Sequence, residues 1–347
     1  MLILHTERMN NMAKKVKIGF VGCGGISEAH LGGLSKHEEV SLVAFCDVNE
    51  ARTNAIKEKY SKDAETFTDA KTMFKEVELD GVYFCLPPFA HGAELLAVEY
   101  GVPFAVEKPV NLYEDQAREI AQAVDEKGLM TSALYMNRYR KGIQTVKEML
   151  KSDPAIFMLG GWIGGSPRGA ADTGIISWWI QKDKSGGQFH EQVTHTVDVA
   201  CFLCGDVIEV HAYGAKGFNK GVPTTYSIED AAVVNLKFAS GAIANLFASA
   251  SSNGGGGGVT LNVYANDFTA LFSGWEHSVN ILRSGKEPEN IPGEGDIFAI
   301  EDNAFIQAIK QKDPSKLMAT YRDGFKTMQV TLAANKSMEI GAPVSIQ

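Results

Sequence analysis

One segment in the second half of the chain carries side chains that can accept, donate and hold protons. It spans residues 186–198 and reads Gly-Gly-Gln-Phe-His-Glu-Gln-Val-Thr-His-Thr-Val-Asp. A helix over residues 188–204 would place Glu191, His195 and Asp198 on one face, because an α-helix repeats about every 3.6 residues. An imidazole titrates at about pH 6.5, so His195 could exchange a proton at cellular pH. We predict that His195 is a general base and that Glu191 is a second catalytic residue, which binds a substrate hydroxyl group or orients either His195 or Lys108.

The opposite face of this predicted helix is apolar and should pack in the core. It carries Val193, Val197, Ala200, Cys201 and Cys204. His190 falls on the same side, so we assign it no catalytic role. The polar face offers the oxygen and nitrogen ligands that some metal ions accept. The sequence shows no further ligand beside them, and we therefore predict no metal site.

A glycine-rich segment near the start of the chain has the pattern of a phosphate-binding turn. An apolar run over residues 16–21 leads directly into Gly-Cys-Gly-Gly-Ile-Ser, and a helical pattern over residues 26–34 follows. The segment is G-x-G-x-x-S, with serine where the dinucleotide fingerprint has Gly or Ala. Such glycines allow a tight turn and a close approach of the backbone to a pyrophosphate, which then lies at the helix N-terminus. The predicted contacts are Gly22, Gly24, Gly25 and Ile26.

An acidic residue at the end of the next strand indicates which dinucleotide is bound. Asp47 follows the apolar run over residues 41–46. A carboxylate at this position accepts hydrogen bonds from ribose hydroxyls and repels a 2′-phosphate. Arg52, in the helix that follows, could instead bind a phosphate. We predict NAD as the cofactor and consider NADP the weaker alternative.

The two halves of the chain have different element patterns. In the first half, short apolar runs alternate with helical stretches, which is typical of βαβ units and a parallel sheet. In the second half, extended segments with alternating side chains are joined by short turns, which indicates antiparallel hairpins. We predict an α/β protein with a leader over 1–15 and a doubly wound Rossmann domain over 16–136. A substrate-binding and oligomerisation α+β domain over 137–347 would carry a large, mostly antiparallel open sheet.

One predicted strand of the second domain suggests how subunits could associate. Val234, Leu236 and Phe238 lie on one face, and Val233 lies on the other. That second face also carries aromatic side chains on neighbouring segments, Phe247 and Tyr264. A partly apolar outer face is covered either by a helix of the same chain or by another subunit. We predict a homodimer or homotetramer formed through this sheet.

Composition excludes several classes of partner. The 347 residues are 45% hydrophobic and carry a net charge of −9 without a Lys/Arg-rich block, which argues against binding to nucleic acid. The chain has neither the features of a secretory signal nor an apolar run of about 18 residues that could span a membrane. Five cysteines, mostly in apolar runs, suit reduced thiols in the cytoplasm. Cys201 and Cys204 have C-x-x-C spacing but no second pair, so we predict neither a redox nor a zinc role.

Further segments resemble the Gfo/Idh/MocA family, which includes glucose–fructose oxidoreductase and inositol dehydrogenase. Cys-Leu-Pro-Pro over residues 85–88 is followed by His91 and then by Glu107-Lys108-Pro109. The resemblance continues through Asn137-Arg138 and the 186–198 segment to the C-terminus, so it covers nearly all of the chain beyond the leader. It implies that Lys108 is catalytic, with cofactor contacts from Leu86, Pro87, His91, Glu107 and Lys108. The family usually has Asp where this chain has Glu191.

The resemblance also implies a reaction class. The expected substrate is a secondary alcohol of a sugar, a sugar derivative or a cyclitol, with Lys108 donating a hydrogen bond to the developing oxyanion. Candidates for substrate contact are Asn137, Arg138, Trp162, Trp178 and Trp179, although tryptophans also serve in cores. Two alternatives remain: an NAD-dependent glycosidase or lyase that oxidises its substrate transiently, and a cofactor-binding regulator without turnover.

Overall fold

The first sheet is parallel throughout and forms a doubly wound unit. The computed structural model describes residues 15–346, so the predicted leader lies outside the described residues except for Lys15. The six strands run in the order β3-β2-β1-β4-β5-β6, and every neighbouring pair is parallel. Their bounds are β1 Val16–Val21, β2 Val40–Cys46, β3 Glu65–Phe67, β4 Gly81–Phe84, β5 Phe104–Val106 and β6 Thr131–Ala133. The predicted Rossmann architecture is confirmed.

Helices connect these strands because parallel strands all start at the same end of the sheet, and the chain must run back to that end between them. They are α1 Gly25–Leu34, α2 Glu50–Tyr60, α3 Ala70–Glu76, α4 Glu94–Tyr100 and α5 Glu114–Lys127. In α5 the buried residues are Ala117, Ile120, Ala121 and Val124, which recur at helical spacing. The helix ends at Gly128, whose φ of +62° suits a residue without a side chain.

The second sheet is large and mixed. Its nine strands run in the order β14-β13-β12-β11-β7-β10-β9-β8-β15, and β7 and β10 are the parallel neighbours. The strands are β7 Phe157–Ile163, β8 Val207–Ala215, β9 Ala231–Phe238, β10 Ile243–Ser249, β11 Gly258–Tyr264, β12 Thr269–Ser273, β13 Ser278–Leu282, β14 Glu289–Ile291 and β15 Val344–Ser345. The helices are α6 Lys141–Met149, α7 Ile176–Trp179, α8 Lys182–Ser185, α9 Gln188–Glu191, α10 Thr194–Cys204, α11 Ile297–Gln311 and α12 Tyr321–Ile340. The predicted mostly antiparallel sheet is confirmed, although β12, β13, β14 and β15 were not predicted.

The helix predicted over residues 188–204 is interrupted, and the prediction of one continuous helix is wrong. α9 ends at Glu191 and α10 begins at Thr194. Between them the N–H of Val193 donates to the carbonyl of Gln188, five residues back, at 3.1 Å. This wider turn changes the rotation between the two helices, so the side chains of Glu191 and Asp198 no longer share a face.

The last two long helices return to the first sheet. Phe305 and Ile306 of α11 belong to the core built around β1 and β4. Tyr321, Phe325 and Met328 of α12 pack in the core that includes α5. Val330 and Ala333 of α12 also belong to the core of the second sheet, so this helix connects the two sheets. The division of the chain at residue 136 stays a prediction.

The two faces of the second sheet differ in burial. Val234 and Leu236 lie on the buried face, where α10 and α12 cover the sheet. On the other face Val233 is 46% exposed, Ile243 52% and Tyr213 58%. Coverage of this face by another subunit stays a prediction. None of the helices in residues 15–346 combines the length and the apolar character that a bilayer crossing requires.

Candidate active site

The turn after β1 is built for close approach of a ligand to the backbone. Gly22 has a φ of +92°, and a Cβ there would lie 2.3 Å from the carbonyl oxygen of Cys85. Only glycine fits that position. A Cβ on Gly24 or Gly25 would instead meet open space. The protein itself therefore does not need glycine at these two positions, and the space they leave is available to a ligand.

The start of α1 has free hydrogen-bond donors. Its N-cap is Gly24, which has no side chain to accept from the first-turn N–H groups. Such groups, together with the helix dipole, bind a pyrophosphate. The Ser27 hydroxyl is buried and donates to the carbonyl of Gly24 at 2.6 Å, which fixes the turn from inside. The residues present thus fit the phosphates of a dinucleotide, and serine at the third fingerprint position serves the turn itself.

Asp47 lies at the end of β2, beside the glycine turn. Its two carboxylate oxygens each accept one backbone N–H, from Cys23 and from Asn49, both at 2.9 Å. Each oxygen retains a further lone pair for a ribose hydroxyl. Val48 is 92% exposed and, like Arg52, lines the same cleft.

A cleft of about 1280 Å³ extends from this region to the second domain. It runs from Asp47 past the glycine turn to Lys108 and Glu191, and α7 contributes Trp178. The predicted cofactor residues that line it are Gly22, Gly24, Gly25, Ile26, Asp47, Arg52, Leu86, Pro87, Glu107 and Lys108. The volume exceeds the roughly 300–1,000 Å³ typical of a small-molecule pocket, as an extended ligand requires.

Lys108 and Glu191 form an ion pair at the far end of the cleft. Lys108 Nζ donates to Glu191 Oε1 at 2.8 Å and to the Glu191 carbonyl oxygen at 3.1 Å. The two side chains are only 14% and 9% exposed. Burial lowers the pKa of Lys108, but the negative charges of Glu191 and Glu107 outweigh it and leave the pKa above its ordinary value. Lys108 is therefore an ammonium ion, held in place by the carboxylate.

His195, at the start of α10, is buried and does not itself line the cleft, but it lies near enough to Lys108 to feel its charge. Its ring packs edge-on against Tyr135 and Trp275, each with a centroid separation of 6.1 Å. Nδ1 is sealed from solvent and has no hydrogen-bond partner in the described part of the chain. Burial lowers the pKa of His195 well below its ordinary value, and Lys108, His277 and Arg140 lower it further.

Asp198 and Arg138 are engaged with each other, which corrects two predictions. The Nε and Nη2 atoms of Arg138 donate to the Asp198 carboxylate at 2.9 and 2.7 Å, and both groups are buried. Nη1 of Arg138 donates to the carbonyl of Met318 at 2.8 Å, and Thr327 donates to Asp198 at 3.2 Å. Asp198 thus does not share the site with Glu191, and Arg138 does not line the cofactor cleft. The pair ties α10 to the segment before α12.

The three predicted tryptophans have different surroundings. Trp178 lines the cleft, whereas Trp179 is 8% exposed and packs with Ile180 and Ile228, so its prediction as a substrate contact is corrected to a core position. Trp162 is half-buried, with its ring centroid 5.5 Å from that of Trp275.

Trp275 is the residue that sequence reasoning missed. It lies in the turn between β12 and β13 and is 44% exposed, yet its ring contacts both His195 and Trp162. The buried guanidinium of Arg140 donates to its carbonyl oxygen at 3.1 Å. Asn137 accepts from Arg140 Nε at 2.7 Å, so this predicted substrate residue instead orients Arg140. No local signal marks Trp275, because its partners are far away in the sequence.

His91 is also placed differently from the prediction. It is 5% exposed and does not line the cleft; its Nδ1 pairs with the fully buried Glu94. His190 bonds Thr331 and the carbonyl of Asn111, which makes it a structural residue of the core.

Burial raises the pKa of the Cys204 thiol to about 11. Residues 15–346 contain no group of three or more His, Cys, Asp or Glu side chains arranged to hold a metal ion.

Two family models match this chain. The oxidoreductase family with an NAD-binding Rossmann fold matches residues 16–135, and the GFO/IDH/MocA C-terminal domain matches residues 165–269. Together the matches cover well over half of the sequence. The chain belongs to the Gfo/Idh/MocA family. It is an NAD-binding oxidoreductase, as the resemblance implied.

Individual relatives of this Gfo/Idh/MocA protein are distant. The D-glucoside 3-dehydrogenase of Escherichia coli (strain K12) is 25% identical over 244 residues, which are 66% of this chain and 68% of that protein. The WlbA dehydrogenase of Bordetella pertussis, solved with NADH and UDP-GlcNAcA, superposes with a TM-score of 0.82 at 21% identity and covers 96% and 99% of the two chains. Levoglucosan dehydrogenase, solved with NADH and levoglucosan, gives 0.84 at 16% identity over 96% and 100%. The two structures show a shared fold.

Proposed function

We propose that this chain catalyses the reversible, NAD-dependent oxidation of a secondary alcohol on a sugar, a sugar derivative or a cyclitol. The observation that carries the proposal is the Lys108–Glu191 pair, with an Nζ to Oε1 distance of 2.8 Å, at the end of a dinucleotide cleft. A buried cation there would stabilise negative charge that develops on a carbinol oxygen. The D-glucoside and levoglucosan dehydrogenases among the relatives support a sugar-like substrate.

Lys108 has one N–H group that can donate a hydrogen bond to the substrate. An ammonium group has three N–H donors, and Glu191 accepts two of them, through its carboxylate and its carbonyl. The third is left for the carbinol oxygen. The bound nicotinamide would supply the hydride acceptor. Glu191 fixes the direction of the remaining N–H and keeps Lys108 charged.

His195 would remove the hydroxyl proton. A base must be neutral to accept a proton, and the lowered pKa of His195 keeps the imidazole neutral throughout the cellular pH range. The acid limb of the pH profile for alcohol oxidation should therefore lie below pH 6.5, the ordinary value of the imidazole. The expectation that His195 has an ordinary pKa is thereby revised, because burial and nearby groups such as Lys108 lower this pKa.

The aromatic wall beside the proposed base suits a ring with an apolar face. Trp275 is partly exposed next to His195, and Trp162 supports it from behind. Indole rings stack against the C–H face of a sugar ring while its hydroxyl groups turn toward charged residues. A polyol ring oriented in this way would present one hydroxyl to Lys108.

The cofactor preference follows from the charges at the other end of the cleft. Asp47 and Asp69 line it there, with Arg52 as a cation, while the charge of Glu28 is offset by its ion pair with Lys59. A 2′-phosphate would meet a net negative charge at this end, whereas ribose hydroxyls would find acceptors. We propose NAD as the preferred cofactor on this basis.

The test is a screen of sugars, inositols and glycosides with both cofactors. Formation of NADH is followed by absorbance, and products are identified by mass spectrometry. A ketone product in equal amount to NADH supports the proposal, with Lys108→Ala enzyme as the negative control. Cleavage of a glycoside without net NADH would instead establish the lyase or glycosidase alternative. Cofactor binding without turnover on any substrate would support a regulator.

A further inference from the structure

A buried charge network lies directly behind the catalytic lysine. His30 of α1 is fully buried between two carboxylates that come from different parts of the fold. Its Nε2 is 3.1 Å from Glu107 Oε1, and its Nδ1 is 2.8 Å from Oδ1 of Asp302 on α11. The other oxygen of Glu107 accepts the backbone N–H of Lys108 at 3.0 Å. The cofactor helix, the Lys108 segment and the second domain thus meet at one imidazole.

A carboxyl group beside each ring nitrogen favours an imidazole that donates from both nitrogens. A neutral imidazole has one donor and one acceptor nitrogen, so one of them would face a carboxylate oxygen without a proton between. An imidazolium donates to both. Burial lowers the pKa of His30, but Asp302 and Glu107 outweigh it, and the net shift is well above the ordinary value. The ring also packs against Tyr83 and Phe298, which keep water away.

We propose that His30 is a positioning residue for Lys108. Its imidazolium engages the Glu107 carboxylate and so leaves the Lys108 ammonium paired with Glu191. The inference rests on the proposed catalytic role of Lys108. Glu107 is a competitor for Lys108, because its charge already raises the pKa of that lysine. Without His30, Glu107 would be an unpaired buried carboxylate beside an ammonium ion.

The other titratable groups around His30 are consistent with this role. Glu301, next to Asp302 on α11, is fully buried, and neither of its oxygens has a hydrogen-bond partner among residues 15–346. Burial raises its pKa well above the ordinary value, which favours the neutral carboxyl group. Tyr83 of β4 and Cys85 are also buried, and burial raises the pKa of each, so both stay neutral. The network therefore has one cation between two anions.

The effect on turnover is tested with His30→Gln, which keeps a hydrogen-bonding side chain but removes the charge. Glu107 would then compete for Lys108, and we expect kcat to fall by about tenfold or more, since a displacement of about 1 Å costs that much. The dissociation constant of NADH, measured by fluorescence, should change by less than about threefold, because His30 does not line the cleft. Asp302→Asn should act in the same direction with a smaller loss.

The matched control is Leu31→Ala on the same helix. Leu31 is fully buried beside His30 but outside the network, so this variant lowers the melting temperature without changing the charges at Lys108. We expect its kcat to stay within about twofold of the wild type. Equal losses of kcat in His30→Gln and Leu31→Ala at equal stability would overturn the proposal, because helix packing alone would then explain both.

A spectroscopic measurement on the wild-type protein tests the charge directly. In ¹⁵N-histidine NMR at pH 8, the His30 ring should show two protonated nitrogens, whereas His190 and His277, whose pKa values are lowered to about 3 and about 4, should be neutral. The His30 signal is assigned by its loss in His30→Gln. A neutral His30 at pH 8 would overturn the inference. Full activity of Lys108→Ala would instead overturn the proposed function, while the His30 signal would remain.

Discussion

The two ends of the cleft offer a ligand different groups. One end, proposed for the cofactor, has backbone N–H groups and glycines close together in the sequence, between β1 and α1. The other end, proposed for the substrate, has the side chains of Lys108 and Glu191, on elements far apart in the chain. The first end depends on backbone shape and the second on buried charge. A buried charge that loses its partner costs several kcal/mol, so side-chain changes should matter most at the substrate end.

The largest effect should come from removing the buried cation. Lys108→Ala deletes the proposed oxyanion donor and leaves Glu191 without its partner, so kcat should fall by about 10²-fold or more. NAD affinity should change little, because the pyrophosphate end is untouched. Steady-state kinetics and NADH fluorescence titration measure the two quantities.

The control is Lys182→Ala, which breaks a lysine–carboxylate contact of 2.7 Å with Glu229 that does not line the cleft. It should lower stability and leave kcat within about threefold of the wild type. If both variants lost turnover equally, the contrast between the two ends of the cleft would not hold.

The backbone end is tested by two alanine substitutions in the same turn. Gly22→Ala would force a Cβ to 2.3 Å from the Cys85 carbonyl at positive φ, so the free protein should become less stable. Gly24→Ala meets open space, so the free protein should keep its melting temperature, while NAD affinity falls by about tenfold or more as the methyl group occupies the phosphate space. Calorimetry and fluorescence titration separate the two effects. Unchanged NAD affinity in Gly24→Ala would place the pyrophosphate elsewhere.

The difference between the two ends also explains what the sequence could reveal. β1, the glycine turn, α1 and Asp47 follow each other within one local pattern, and the structure has them with nearly the expected bounds. Local periodicity does not determine contacts between distant segments. Arg140 and the Trp275 turn lie 135 residues apart, and neither residue type indicates the pairing. For the same reason, the sequence led us to predict Arg138 and Asn137 as substrate contacts. In the structure, Arg138 instead pairs with Asp198 and Asn137 with Arg140.

The interruption between α9 and α10 shows a second limit. A continuous helix and an interrupted one have the same apolar pattern over a few residues, yet the wider turn at Val193 moves Asp198 away from Glu191. Lys108 was identified only through the family resemblance, because nothing in the residues around it specifies a distance to Glu191.

Asp47→Asn should change the preference between NAD and NADP, with a smaller effect than that of Lys108→Ala. The amide keeps one oxygen, which can accept from one of the two backbone N–H groups and from a ribose hydroxyl, but it removes the charge that repels a 2′-phosphate. The ratio of kcat/KM for NAD to that for NADP should therefore fall by about tenfold. Asp47→Ser, which also loses the reach to Cys23 and Asn49, should weaken NAD further. A wild-type enzyme with higher kcat/KM for NADP would contradict the assignment of Asp47.

Glu191→Asp should have the smallest effect and the most informative one. The shorter side chain restores the carboxylate common in the family but withdraws it by roughly one C–C bond, about 1.5 Å, from Lys108 Nζ. The hydrogen bond from Lys108 to the Glu191 carbonyl does not depend on the side chain, so Lys108 should stay near its position. Because the carboxylate raises the pKa of Lys108, weakening that contact should lower this pKa and move the alkaline limb of the kcat profile to lower pH. If Glu191 acts only through Lys108, kcat should fall by about two- to tenfold with the order of substrates unchanged, and Glu191→Gln should shift the alkaline limb further. A changed order of substrates in Glu191→Asp, with the alkaline limb fixed, would show that Glu191 binds a substrate hydroxyl instead.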